Sequence, residues 1–250
     1  MNSIKISVIT VTYNAATTVG RCIQSVINQN YPYIEHIIID GGSGDNTLAV
    51  INSYKGHITR LVSEKDKGIY DAMNKGINLA TGNIIGMLNA DDFYTNDNVL
   101  SEIAQAFEHT GTDAVYADLD FVNGEEKVIR RWRSGNYKPR LFNYGWMPPH
   151  PTFYCKREMY GRLGNYSLEF GTAADYELML RFIHLHKASL FYIPQTLVKM
   201  QTGGVSNKNA FNRIRSLYYD LKAMYKNNVA LPPIALILKP LSKMKQFFNC

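Results

Sequence analysis

At 250 residues, with 46% hydrophobic and 19% charged composition, the chain is long enough to bury a full core and too apolar for a disordered protein. Its formal net charge of +6 favours anionic partners such as a nucleotide, a phosphorylated lipid or a membrane surface; zinc-finger spacing and an RNA-binding aromatic signature are both missing, so nucleic acid is not expected. Cys22, Cys155 and Cys250 lack paired spacing and are expected as free thiols, and neither a signal-peptide stretch nor a membrane-length apolar run occurs, so the expectation is a cytoplasmic chain, peripheral at the inner membrane face.

In chain order, Ile4 to Val11 is β-branched and predicts a buried strand. Val19, Cys22, Ile23, Val26 and Ile27 fall at helical spacing within a stretch from Thr17 to Gln29, which Tyr31-Pro32-Tyr33 ends. His36 to Ile39 predicts a second strand, and Asp45-Asn46-Thr47 can cap the following helix. Ile58 to Val62 predicts a third strand, Ile69 to Ala80 a helix stopped by Gly82, Ile84 to Leu88 a fourth strand, and Asp97 to Glu108 a helix. Ala114 to Val122 and Val128 to Arg133 form a hairpin pattern through Asn123-Gly124. Pro148 to Pro151 is a rigid loop, Asp175 to His184 a helix, and Leu190 to Ile193 and Leu197 to Met200 two short strands. From Asn207 onward the chain is helical and basic, with Asp220 its only acid and prolines at 232, 233 and 240 to interrupt it.

Strands alternating with helices imply a mostly parallel sheet flanked by helices, which binds ligands beyond the carboxyl ends of its strands. Polar residues collect there: Thr12, Tyr13 and Asn14 after the first strand, Asp40 after the second, Glu64 and Asp66 after the third, Asp91 and Asp92 after the fourth. Adjacent carboxylates at a strand end suit a hard divalent cation; the competing reading is a cap for the next helix. The distant Asp175 suits a general base, or an N-cap for the helix it begins.

The segments Val8-Ile9-Thr10-Val11-Thr12-Tyr13-Asn14, Ile39 to Thr47, Asp66-Lys67-Gly68 with Asn74 and Gly76, and Asn89-Ala90-Asp91-Asp92, in this order, resemble glycosyltransferase family 2. The likeness runs from about residue 4 to residue 205, and Ser63 to Gly76 is similar to bacterial surface-polysaccharide members of the O-antigen, colanic-acid or capsule type. It implies an α/β fold of the GT-A class, a Rossmann-like nucleotide-sugar transferase sheet, occupying residues 1–205 (nucleotide half 1–110, acceptor half 111–205), with a basic helical tail at 206–250. It implies an inverting transfer of a hexose from a nucleotide sugar, a UDP-sugar first, to a polyprenyl-diphosphate-linked glycan.

Residue by residue, the resemblance puts Asp92 on Mn²⁺ or Mg²⁺ and Asp91 on ribose or metal. It puts Thr12, Tyr13, Asp40, Asp66 and Lys67 around the nucleotide, with Tyr13 stacking on the base and Asp40 accepting from uracil N3–H. Asp175 matches the base, although Ala174 stands where the family carries a glutamate. Glu177 is a second candidate, as against a solvated helix residue. His150 and Trp146 match a sugar or acceptor pocket, as against a structural histidine and a packed tryptophan. A late histidine ligand to the metal has no counterpart in Lys199 to Ser206, where Gly203 and Gly204 suit a loop over the donor.

The tail interleaves Ile234, Ile237, Leu238, Leu241, Met244, Phe247 and Phe248 with lysines, which suits an anionic membrane surface or a helix packed on the domain. A nucleotidyltransferase would need a Gly-rich basic loop after the first strand, where Tyr13-Asn14-Ala15-Ala16 stands. A dehydrogenase would need glycines in that same turn. A non-catalytic nucleotide-sugar or glycan-binding protein would keep the fold without turnover.

Overall fold

The computed structural model describes residues 3–202, 210–244 and 246. Within them the chain forms β1 (Ile6–Thr12), α1 (Val19–Ile27), β2 (Ile34–Asp40), α2 (Thr47–Ser53), β3 (Arg60–Ser63), α3 (Ile69–Leu79), β4 (Ile84–Met87), β5 (Asp92–Tyr94) and α4 (Val99–Thr110). It continues through β6 (Ala114–Val122), β7 (Val128–Trp132), β8 (Tyr154–Lys156), α5 (Arg157–Leu163), α6 (Ala174–Met179), β9 (Leu190–Gln201), α7 (Ala210–Lys226) and α8 (Pro232–Met244).

One sheet runs in the order β3-β2-β1-β4-β8-β6-β9-β5, with β7 branching from β6. Its first four strands are parallel, as the alternating pattern requires. Every residue of β1 is buried, consistent with a strand covered on both faces. Beyond β4 the sheet is mixed: β8 is antiparallel to β4 and β6, β7 to β6, and β5 to β9, while β6 and β9 are parallel. The short strands β5 and β8 carry too few residues to show a period. The two strands expected over 190–200 are one, β9, whose pairing with β6 slips between Ile193 and Thr196. Pro194 lies in that bulge, where no ladder donor is needed.

Close backbone approaches explain two glycines. A Cβ on Gly76 of α3 would lie 2.4 Å from Ile9 Cγ2, so α3 can settle on β1 only without one. A Cβ on Gly86 would lie 1.9 Å from the Tyr154 ring, which crosses β4 at this point. Tyr154 is paired opposite Gly86 and its hydroxyl is hydrogen-bonded to that of Tyr94.

At the other end of the sheet Glu35, 2% exposed, accepts from Ser7 Oγ at 2.6 Å, Thr81 N at 2.7 Å, Thr81 Oγ1 at 2.7 Å and Lys5 Nζ at 3.1 Å. Burial alone would raise its pKa, but the donors together bring it down to about 2. The knot fastens β1, β2 and the 80–83 turn below the ligand-facing edge.

The C-terminal helices are not a loose appendage. Ala223, Met224, Val229 and Ala235 belong to the same buried cluster as Phe142, Phe170, Tyr176 and Phe182. Gly145, at φ +77°, brings its backbone so near α8 that a Cβ would meet Lys239 Cα at 2.5 Å. Pro232 and Pro233 open α8, where their missing N–H groups cost nothing. Pro240 lies inside it rather than ending it; packing on the domain outweighs one lost hydrogen bond. Leu238 is part of this helix, whereas Phe247, Phe248 and Cys250 lie outside the described residues, as do Gly203 and Gly204.

Gly86→Ala is expected to destabilise the protein by about 1–3 kcal/mol through overpacking against Tyr154. That corresponds to a fall of roughly 2–10 °C in the thermal midpoint. Calorimetry on the two proteins checks it, and an unchanged midpoint would contradict the packing described.

Candidate active site

Register alone places the first group of candidate residues. Thr12 is paired with Asp40, and Asp40 with Ser63, so the last residues of β1, β2 and β3 form one row. The loops above the row are laced to one another. Asn14, at φ 49°, accepts from Gly44 N at 2.9 Å, and its own N–H donates to Ser43 Oγ at 2.9 Å. Thr12 Oγ1 is buried without a hydrogen-bond partner, an unusual condition for a hydroxyl. Beside it the Tyr13 ring is 65% exposed. Asp66 folds back over the row, its carboxylate 2.4 Å from where a Cβ on Gly41 would sit and accepting from Gly68 N at 2.8 Å.

Asp40 is engaged by its own loop. Fully buried, it accepts from Gly42 N at 3.2 Å, Ser43 N at 3.1 Å, Ser43 Oγ at 2.5 Å and Ser63 Oγ at 2.7 Å. Three of these donors meet Oδ2 and one meets Oδ1, so the carboxylate shapes the loop and keeps an acceptor position on Oδ1. Lys67 holds its segment through a backbone donation to Asp71 Oδ2 at 3.0 Å while its side chain is exposed. Lys75 is engaged by Glu64 at 2.8 Å and by the Lys65 carbonyl at 3.1 Å.

The acidic pair follows β4. Asp92 is fully buried, and Asn89 Nδ2 donates to its Oδ2 at 3.3 Å, while Asp92 Oδ1 has no partner at all. Burial first, and the neighbouring Asp91 second, push the Asp92 pKa well above the usual aspartate range. Burial also raises Asp91, against the opposing influence of His150 and Arg21. A buried carboxylate with an orphaned oxygen beside a second carboxylate fits a hard cation. Among the described residues no cluster of three His, Cys, Asp or Glu side chains forms a ready-made metal cage. Such a cation would draw on Asp92 and Asp91, with water or phosphate oxygens for the rest.

Asp175, far away in sequence, reaches the same place. Asn89 Nδ2 also lies 3.3 Å from His150 Nε2, and His150 Nδ1 lies 3.6 Å from Asp175 Oδ2. With Nε2 accepting from Asn89, the imidazole proton is on Nδ1 and faces Asp175. The result is one polar line, Asp92–Asn89–His150–Asp175, through three separate loops. His150 starts a 3-10 turn, His150–Thr152, pinned where Thr152 Oγ1 donates to the Ala117 carbonyl at 3.0 Å and accepts from Ala117 N at 3.2 Å.

The segment bearing Asp175 is clamped from both sides. Asn74 on α3 accepts from Tyr166 N at 2.9 Å and donates to its carbonyl at 2.9 Å, and Tyr70 Oη donates to the Thr172 carbonyl at 3.3 Å. From the opposite side Tyr219 of α7 packs so tightly on Gly171 that a Cβ there would lie 2.5 Å from its ring. Gly171 has φ +46°, a left-handed conformation that favours glycine.

Two candidates are resolved as structural. Glu177 is 1% exposed and paired with Arg181 at 3.0 Å, so it is neither solvated nor a base. Trp146 is half-buried, packed edge-on against Tyr116 and Phe142, with Nε1 donating to the Ser134 carbonyl at 3.0 Å, the packed reading of this residue. Trp132 was missed. It lies on β7, parallel to Phe121 at 6.4 Å, and lines a cleft of about 410 Å³ that also holds His150 and Asp175. Asn89 was missed as a link, although it stood beside the acidic pair in the sequence.

Known proteins resemble this chain in sequence and in fold. The sequence model of glycosyl transferase family 2 matches residues 7–169, stopping before Asp175. An uncharacterized glycosyltransferase of Mycobacterium tuberculosis H37Rv is 31% identical over 186 residues, 70% of this chain and 68% of the relative. A PGL/p-HBAD biosynthesis glycosyltransferase of Mycobacterium bovis BCG is 31% identical over 179 residues, with the same shares covered. Among solved structures, S. aureus TarS 1–349 in complex with UDP superposes with TM-score 0.70 at 18% identity, over 91% of this chain and 67% of that one. The mannosyltransferase PcManGT of Pyrobaculum calidifontis, with GDP-Man and Mn²⁺, gives 0.67 at 20% identity, over 94% and 69%. The fold is thus that of the GT-A glycosyltransferases, and the chain belongs to glycosyl transferase family 2.

Proposed function

We propose that this glycosyltransferase moves a hexose from a uridine diphosphate sugar, with inversion, to a hydroxyl of a polyprenyl-diphosphate-linked glycan of bacterial surface-polysaccharide synthesis. The observation that carries the proposal is the line Asp92–Asn89–His150–Asp175. It sets a cation-suited carboxylate pair at one end and a partly exposed carboxylate at the other. Direct displacement needs that separation: leaving-group charge develops on one side of the sugar while a hydroxyl loses its proton on the other.

In this scheme the donor nucleotide lies over the row of strand ends, with Tyr13 against the base, the Thr12 hydroxyl and Asp66 beside it, and the Asp40 turn beneath. Asp92 and Asp91 would hold Mn²⁺ or Mg²⁺, and a bound cation supplies neutralisation of the departing diphosphate. Asp175 takes the acceptor proton. His150 keeps the Asp175 carboxylate oriented and is not itself the base. The acceptor's lipid anchor fits the outer face of the C-terminal helices, where Ile234, Ile237 and Leu241 are 49%, 64% and 50% exposed. Lys222 and Lys226 lie on the neighbouring helix with exposed side chains. That combination supports peripheral contact with an anionic cytoplasmic leaflet. Among the described residues no helix is long and apolar enough to cross a membrane.

Asp175→Asn is expected to lower kcat by about 10²-fold or more while leaving UDP binding intact. Release of nucleoside diphosphate from a panel of nucleotide sugars, with Mn²⁺ or a chelator, reads this. Turnover indifferent to both mutation and chelator would remove Asp175 and the acidic pair from the mechanism.

The acidic pair also has a pH signature. Its pKa values are higher folded than unfolded. The metal-free protein therefore gains stability from the pair below the ordinary aspartate pKa, and loses that gain as pH rises through the folded value. Mn²⁺ takes up the ionised pair, so its stabilising effect grows over the same window. Asp92→Asn is expected to raise the metal-free midpoint at neutral pH and to abolish the Mn²⁺ shift. Thermal melts at several pH values check it; a full Mn²⁺ shift in the variant would overturn the assignment.

A further inference from the structure

The cleft beside Asp175 has a composition that the transfer reaction does not by itself require. It contains Asp175 and His150 but neither Asp91, Asp92 nor any residue of the strand-end row, so it lies on the acceptor side of the base. One wall comes from the sheet: Phe121, Trp132 and Met200, with the two rings 8° from parallel. The opposite wall comes from α7 and α8: Leu217, Leu236 and Pro240. The charges in the helix wall are mutually satisfied, since Lys239 Nζ donates to Asp220 Oδ1 at 2.8 Å and lies 3.6 Å from the centre of the Tyr176 ring. Leu217 both lines the cleft and is 46% exposed, so the apolar lining continues to the outer surface.

We propose that this cleft binds an amphiphilic acceptor, a hydroxyl-bearing sugar with an alkyl or aryl group attached close to the reacting ring. The α7–α8 hairpin, which lies beyond the family-matched residues 7–169, is the part that selects it. This rests on the glycosyltransferase function proposed above. The sugar hydroxyl meets Asp175, and the attached group is buried between the Phe121–Trp132 pair and Leu217–Leu236. A cleft of about 410 Å³ is of the size that holds a compact ligand. Lys239, the Lys or Arg side chain among the cleft's lining residues, is already bonded to Asp220, whereas an apolar group displaces water at no electrostatic cost.

The chain has two tryptophans, so Trp146→Phe leaves Trp132 as the only indole and makes its fluorescence a direct report on the cleft. Full-length Trp146→Phe protein, with UDP and Mn²⁺ present, is titrated with methyl β-D-glucopyranoside, phenyl β-D-glucopyranoside and octyl β-D-glucopyranoside, the last below its micellar concentration. The phenyl and octyl glycosides are expected to shift Trp132 emission at concentrations at least tenfold lower than the methyl glycoside. Leu236→Glu, or the milder Leu217→Ser if the former folds poorly, is expected to remove most of that advantage. Tyr33→Ser, at a surface position 48% exposed and outside the cleft, is expected to keep it. Equal responses to all three glycosides would overturn the proposal, as would an advantage untouched by both cleft variants or lost in Tyr33→Ser. UDP binding is followed in the same samples: failure there strikes the glycosyltransferase mechanism, while failure of the glycoside discrimination alone strikes the cleft.

Discussion

The buried carboxylate of Asp92 is the constraint on which the crest of this molecule depends. Taking a carboxylate out of water costs several kcal/mol unless hydrogen bonds or an opposite charge compensate. Here the protein supplies one long amide contact from Asn89 and leaves the other oxygen without a partner. Glu35, in the same sheet, shows what full compensation looks like: four donors hold it ionised well below the usual range. The contrast is what the proposed function draws on. The Glu35 end of the sheet is fastened, whereas the Asp92 end is kept electrostatically incomplete where a cation and a diphosphate would complete it.

The partner carboxylate, Asp175, depends on a different kind of support. It sits on a turn in a left-handed kink at Gly171, held by Asn74 and Tyr70 of α3 on one side and by Tyr219 of α7 on the other. The Asn74 clamp and the Gly76 approach to Ile9 explain why one short stretch of α3 carries both residues: Gly76 docks the helix on the sheet, and Asn74 docks the Asp175-bearing segment on the helix. Support from α7 makes the last helices part of the active-site framework. Their basic composition suggests a surface tail, yet Lys239 is buried against Asp220 and Tyr176.

Much of this was legible in the sequence, and for identifiable reasons. The strand-end row could be seen because parallel strands place their polar terminators at one edge, whatever the loops do. The helices α1 and α3 could be seen because their buried residues recur at helical spacing. Strands β5 and β8 were not visible, because three residues hold no period. The sequence could not decide the roles of Asp40, Trp146 and Glu177 for a shared reason: residue type states what a side chain can do, while its neighbours state whether that capacity is already used. Asp40 is bonded to Ser43, Gly42 and Ser63, Trp146 to Ser134, and Glu177 to Arg181.

The sequence by itself determined the α/β alternation, the polar edge of the parallel strands and the adjacency of Asp91 and Asp92, since these follow from local periodicity and from neighbouring positions in the chain. Only the tertiary structure decided that His150 and Asn89 join that pair to Asp175, that Trp132 rather than Trp146 faces the cleft, and that α7 and α8 wall it. Those contacts join residues far apart along the chain, and their existence depends on the mixed half of the sheet, where no local pattern encodes the pairings of β6 with β8 and β9.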